Sequence, residues 1–231
     1  MRTVIKDRSV QGGLLSVAVA GSLLLGATGC GGGGDEDGSP DDYKVVTATQ
    51  LCGGDAVSTE AAKALEVITG SSRFEASGEE YSIEQAATTF ADTFMDPHSR
   101  RGDVCRIYTP RGTPNFELRI RWWREDGAPS TDEPPASKFT VLKMGEDTVT
   151  AADKAYLQFA CESDELAGSS TPAHIMIGVE RGGEADPPKD DVEALKDAYA
   201  TVAHSVSLAM AKELGCANNG GLPAKPVLDP A

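Results

Sequence analysis

Five side chains on two short alternating runs are the most pointed chemical feature of this sequence: Arg106, Tyr108, Arg119, Arg121 and Trp123. Residues two apart in an extended chain share a face. The first run therefore sends Arg106 and Tyr108 one way and Cys105 and Ile107 the other. In the second, Glu117, Arg119, Arg121 and Trp123 alternate with Phe116, Leu118, Ile120 and Trp122. Paired as a hairpin around the turn Thr109 to Asn115, the runs bury one face and gather the five on the other as a cationic and aromatic patch. Cation–π contact and planar hydrogen bonding are the chemistry such a patch offers, and Trp, Tyr and Arg dominate interaction hot spots. Cross-strand pairing with Glu117, and a loop such as Glu125 to Ser137 covering Trp123, would give the same residues a structural task only.

No catalytic constellation accompanies the patch. His98, His174 and His204 fall in a loop, at a strand start and on a helix face, and no two are spaced as metal ligands. The chain has no GxSxG, HExxH, P-loop or SxxK motif. Cys52, Cys105, Cys161 and Cys216 contain no CxxC knuckle and no Cys/His cluster, which argues against zinc. No cofactor is expected. With Cys30 set aside for the export signal below, these four cysteines make an even number, which in an exported chain points to two disulfides with three possible pairings.

Export is written at the N-terminus. Arg2, Lys6 and Arg8 precede an apolar run from Leu14 to Leu25, and the small residues Ala27, Thr28 and Gly29 lead to Cys30. This is the layout of a secretory signal over residues 1–29, too short in its apolar part for a spanning helix of roughly 20 residues. A cysteine directly after small residues resembles the lipobox of bacterial lipoproteins, with Ala27 where Leu is commonest. The resemblance implies that the Cys30 thiol is acylated, palmitate among the acyl chains, and becomes the new N-terminus. Residues 30–43 continue as GGGGDEDGSPDDY after Cys30, a glycine and acid tether that cannot pack. Those glycines neither follow a strand nor open a helix, so they are not a nucleotide loop.

The elements that must position the patch follow from residue 44 onward. Ser58 caps a helix that Gly70 stops, with Ala61, Leu65 and Ile68 on one face. Ser82 and Gln85 are expected to form a capping box that opens a second, striped by Ile83, Ala86, Ala87, Phe90 and Phe94 and ended by Pro97. After the hairpin, Glu125 to Ser137 reads as a long loop. Strands are then expected at Phe139 to Lys143, Ala155 to Cys161 and His174 to Arg181. A long amphipathic helix follows from Asp190 and Asp191 to Gly215, apolar enough in its second half to be covered on two sides. The order predicts an α+β domain over 44–217: an antiparallel sheet of about five strands, two N-terminal helices and one long C-terminal helix packed on one face. Residues 218–231, with three prolines, read as an irregular tail. If the strands form a simple meander, shared inward parity favours Cys105 with Cys161, and Cys52 with Cys216.

The early QLCGG, the central VCRIY and the late AKELGC, together with the lipobox and tether, resemble the small cell-envelope lipoproteins of actinobacteria such as Streptomyces, whose functions are unknown. That implies an extracytoplasmic, lipid-anchored α+β protein on the outer face of the cell membrane and carries over no catalytic residue. The whole chain has 21 basic and 36 acidic side chains and a net charge of −15. Such a charge repels a polyphosphate backbone and argues against nucleic-acid partners, while 40% hydrophobic residues argue against disorder. Two functions follow as expectations. One is a non-enzymatic binding or scaffolding module for an envelope protein or cell-wall component, marked by a shallow face centred on Trp123. The other is an envelope hydrolase, marked by a deep pocket that collects a histidine with carboxylates.

Overall fold

Alternation in the hairpin runs builds one side of a six-stranded sheet. The computed structural model describes residues 44–113, 115–129, 136–166, 171–182 and 191–231. The signal segment, Cys30 and the tether lie outside the described residues. A short antiparallel pair, β1 (Val45–Thr47) and β2 (Arg73–Glu75), brackets helix α1 (Thr59–Thr69). Helix α2 (Ile83–Thr93) leads into β3 (Arg101–Tyr108) and β4 (Glu117–Glu125). Then come β5 (Thr140–Leu142), β6 (Asp147–Ala151), β7 (Lys154–Cys161), β8 (Ala173–Gly182) and helix α3 (Val192–Glu213).

The α+β class with an antiparallel sheet holds; the strand count and order differ from expectation. The main sheet runs β3-β4-β8-β7-β6-β5, every neighbouring pair antiparallel. The chain thus leaves β4 for the far edge and returns strand by strand until β8 closes against β4. Strand β6 escapes a search for apolar alternation because its inward residues are Thr148 and Thr150. Their hydroxyls donate to the carbonyls of Met144 (2.8 Å) and Lys196 (2.7 Å), which lets them be buried without loss.

The inward face carries Ile107, Leu118, Ile120, Trp122, Leu157, Phe159, Ile175, Ile177 and Val179, all at most 1% exposed. Helix α3 lies over β6, β7 and β8, α2 packs on β3, and α1 sits behind α3. Phe90 of α2 sets its ring edge-on to Trp122 with centroids 5.0 Å apart. Sandwiched in this way, α3 is buried at every position from Ala198 to Ser207. Ser205 ties the layers, accepting from Ser58 N (2.9 Å) and donating to Ala56 O (2.8 Å). The caps read from sequence form: Ser58 accepts from Ala61 N and Gly70 closes α1 at φ 70°, the left-handed conformation that favours glycine. Ser82 accepts from Gln85 N, while the Gln85 amide turns to Thr89 instead of completing a capping box.

Two disulfides are present, paired otherwise than the meander suggested: Cys52–Cys105 (Cα–Cα 5.4 Å) and Cys161–Cys216 (4.9 Å). Two strands, β4 and β8, lie between Cys105 on β3 and Cys161 on β7. Three strand spacings make about 14 Å, roughly twice the Cα separation a disulfide spans. Cys52 sits at φ 55° in the left-handed region, so the bridge holds a residue there that has a Cβ.

Residues 218–231, set apart from the domain on composition, dock on it. Leu222 is buried, Val227 and Leu228 pack against the core, Pro223 O faces His204 Nε2 at 2.8 Å, and Ala231 N donates to Val141 O at 2.9 Å. The chain end thereby covers edge strand β5, which blunts an edge open to foreign strands.

Candidate functional site

The face of the sheet turned away from α2 and α3 carries the expected set, and the register explains its layout. Arg106 stands opposite Arg119 and Tyr108 opposite Glu117. A bulge between Asp103 and Cys105 buries Val104 and Cys105 in succession while keeping Arg106 and Tyr108 outward. From β4 the outward positions continue across β8, β7 and β6 in rows. Arg121, Gly178, Tyr156 and Val149 form one row; Trp123, Met176, Gln158 and Asp147 form the next.

The structure brings the five predicted residues onto one face but divides them. At one end, Arg106 bonds Asp103 (3.0 Å) and stands 5.7 Å from the Tyr81 ring centroid, while Arg119 bonds Glu117 (2.7 Å), to which Tyr108 also donates (3.4 Å). At the centre, the Arg121 guanidinium lies 5.0 Å from the Trp123 ring centroid and bonds Glu180 of β8. Each of the three arginines therefore has its own carboxylate. The cationic reading of the patch is corrected accordingly: it is charge-compensated, and its distinctive part is aromatic.

That aromatic part includes residues outside the hairpin. The Trp123 and Tyr156 rings meet edge-on at 6.2 Å, and Phe139 meets Tyr156 at 6.3 Å. Gly178 lies beneath two of them: a Cβ there would come 2.6 Å from Trp123 Cζ3 and 2.9 Å from the Tyr156 ring. The glycine lets both side chains lie down across β8. Tyr156 donates its hydroxyl to Glu180, which thus serves Tyr156 and Arg121 together. Burial works to raise the Glu180 carboxyl, but those two hydrogen bonds and the Arg121 charge prevail and hold it below its ordinary range. Burial and the bond to Glu180 push the Tyr156 phenol well above its ordinary range, so it remains a donor at neutral pH.

Beside this cluster is a cavity of about 290 Å³ lined by Asp147, Val149, Tyr156, Gln158 and Met176. Gln158 uses its amide protons on Gly127 O (2.8 Å) and Glu146 Oε2 (3.3 Å). Burial raises the Asp147 carboxyl, in part countered by the backbone N–H of Thr148.

The histidines stay apart. His98 is in an exposed turn after α2, and His204 is buried on α3. His174 Nδ1 lies 2.7 Å from Glu146 Oε2, beside a cleft of about 350 Å³ that Arg124, Glu125, Asp126 and Thr171 also line. Arg124 is committed to the carbonyls of Phe94 and Asp96, and Asp126 to Arg100. A larger cleft of about 570 Å³ beside Cys161–Cys216 is lined by Glu162, Ser163 and Asp164. Ser163 there donates to Leu214 O, and no histidine lines the cleft. Among the described residues no group of three or more His, Cys, Asp and Glu is arranged to hold a metal, and no helix is long and apolar enough to cross a membrane.

Tyr156, Met176, Gly178 and Glu180 were not singled out from sequence, although the parity of their strands put them on the outward side. The glycine inside a strand was the available signal, since it marks a close approach. Comparison with protein-family models, curated proteins and solved structures gives no match for this chain.

Proposed function

We propose that this protein is an exported lipoprotein, anchored through acylated Cys30, that works as a non-enzymatic binding module on the outer face of the cell membrane. Its anchor rests on the cationic start, the apolar run and the small residues before Cys30. The observation that carries the binding reading is the aromatic group on the sheet face turned away from the helices, which the loop after β4 reaches only in part, at Gly127 O and Phe139. Helices pack on one side of the sheet, and the other carries Trp123 and Tyr156 over Gly178, with Phe139 against Tyr156. The anchor holds the domain at the membrane, and the acidic tether gives it reach to an envelope protein or wall component.

The alternative, an envelope hydrolase, is favoured by one arrangement, the His174–Glu146 pair beside its cleft. The one hydroxyl that lines that cleft among the described residues is Thr171, and no hydrogen bond joins it to His174 there.

Metabolic labelling with an alkynyl palmitate analogue, combined with membrane fractionation, tests the anchor. Wild type should be labelled and sediment with membrane. Cys30→Ala should be unlabelled and either remain as precursor or appear in the medium. A processed Cys30→Ala protein that fractionates like wild type would overturn the proposal.

A further inference from the structure

The cavity on the open face has a chemistry of its own. Its floor and walls are apolar and polarisable: the Tyr156 ring, the Met176 thioether and the Val149 methyls. Its polar groups are acceptors. The Gln158 amide protons are both engaged, so only its carbonyl oxygen remains for a further partner. The Asp147 carboxylate is opposite Gln158 in the register and has no ion-pair partner among the described residues, although those residues include seven ion pairs. A half-buried carboxylate without a cation is unfavourable unless a partner arrives from outside.

The neighbourhood reinforces that asymmetry. Arg121, the cation on the adjacent row, is taken by Glu180 and by the Trp123 ring. Glu146 takes His174. Among the described residues the ammonium in contact with the aromatic cluster is that of Lys138, whose Nζ lies 5.1 Å from the Phe139 ring centroid, and it makes no ion pair with Asp147. The surrounding protein has a net charge of −15, which draws cations and repels anions.

We infer that this cavity binds a primary alkylammonium group, with the ammonium on Asp147 and the Gln158 carbonyl and the alkyl stem along Val149, Met176 and the Tyr156 ring. The inference rests on the reading of the open face as the binding surface and specifies what that face recognises. An acceptor-only polar set excludes carboxylates and phosphates as ligands, and the apolar walls favour a stemmed amine over a hydrated metal ion. Its volume of about 290 Å³ has room for a four- or five-carbon stem, the length of a lysyl side chain or a short free diamine.

The test is an NMR titration of the intact chain, methyl-labelled at methionine and purified from membranes in detergent. The Met176 signal is assigned by its loss in Met176→Leu. Butylammonium should shift that signal saturably, whereas butanol and butyrate, its neutral and anionic isosteres, should bind at least about tenfold more weakly. Asp147→Asn, of nearly the same shape, should weaken butylammonium by about tenfold or more. Val149→Phe should block it by filling the space, and unchanged melting curves confirm that both variants fold. Tighter binding of 1,5-diaminopentane than of a lysine-containing peptide would assign the free amine as source, and the reverse would assign a lysyl side chain. Equal response to the three isosteres, or a butylammonium affinity untouched by Asp147→Asn, would overturn the inference. So would the absence of any shift up to the solubility limit. Crosslinking from position 123 in cells reports separately on the open-face reading: if it succeeds while butylammonium fails, the ligand class falls and the binding surface stands.

Discussion

Gly178→Ala probes the open face with a single methyl group. The position is ordinary extended backbone opposite Arg121 and Tyr156, with no left-handed φ that would itself penalise alanine. On backbone grounds alone the substitution should stabilise by roughly 0.4–1 kcal/mol, through a less flexible unfolded chain. Packing opposes this. The added Cβ would meet Trp123 Cζ3 at 2.6 Å and Tyr156 Cδ1 and Cε1 at 2.9 Å. Both rings must retreat, and Tyr156 is held by Glu180 and Phe139. Overpacking of this kind costs ~1–3 kcal/mol, so the net expectation is a loss of about 1–2 kcal/mol, or roughly 2–8 °C in Tm for a domain of this size. Thermal melts by circular dichroism measure it, with tryptophan fluorescence reporting whether Trp123 has moved. In a Trp123→Ala background one of the two clashes is gone, and the cost should fall by about half or more. A rise in Tm on Gly178→Ala, or an equal cost in both backgrounds, would refute the packing of the two rings over this glycine.

Trp122→Ala should cost ~3–5 kcal/mol, because Trp122 is 1% exposed and packs against Phe90. Trp123→Ala should cost much less; the opposite order in paired urea melts would reverse the two faces of β4. Peptide mapping without reductant should recover Cys52 joined to Cys105 and Cys161 joined to Cys216, and replacing the second pair by serines should cost ~2–4 kcal/mol. Recovery of Cys105 joined to Cys161 would contradict the strand order. Burial holds His204 below its ordinary pKa, only partly offset by its bond to Pro223. The unfolded chain therefore takes up a proton that the folded chain refuses as pH falls through the ordinary histidine range. This residue makes stability drop as pH falls through and below the ordinary histidine value of about 6.5, and His204→Gln should flatten that part of the profile. Identical slopes for wild type and variant in urea melts would refute it.

Local pattern made the faces of β4 legible because inward Leu118 and Ile120 alternate with outward Glu117, Arg119 and Arg121, and that alternation assigns Trp122 inward and Trp123 outward. The double burial of α3 was legible for a related reason: Ala200, Leu208 and Ala211 make its second face apolar as well. Strand β6 was hidden because Thr148 and Thr150 satisfy their hydroxyls on backbone carbonyls and so occupy core positions while reading as surface. Strand order lies beyond local pattern altogether, since periodicity says which way a side chain points but not which strand lies beside it. The disulfide pairing failed with it. The same limit applies to the site. Arg121 and Trp123 were identifiable within one strand, whereas their partners Glu180, Gly178 and Tyr156 come from β8 and β7, more than thirty residues away.

The binding face is tested most directly by photocrosslinking in living cells. A benzoylphenylalanine replaces Trp123 in the membrane-anchored protein, and in a control replaces Val67, which is 49% exposed on α1 behind the opposite side of the sheet. An open-face binding module predicts a discrete crosslinked product from position 123 and none from position 67. Products of equal yield from both positions, or from position 67 alone, would contradict it.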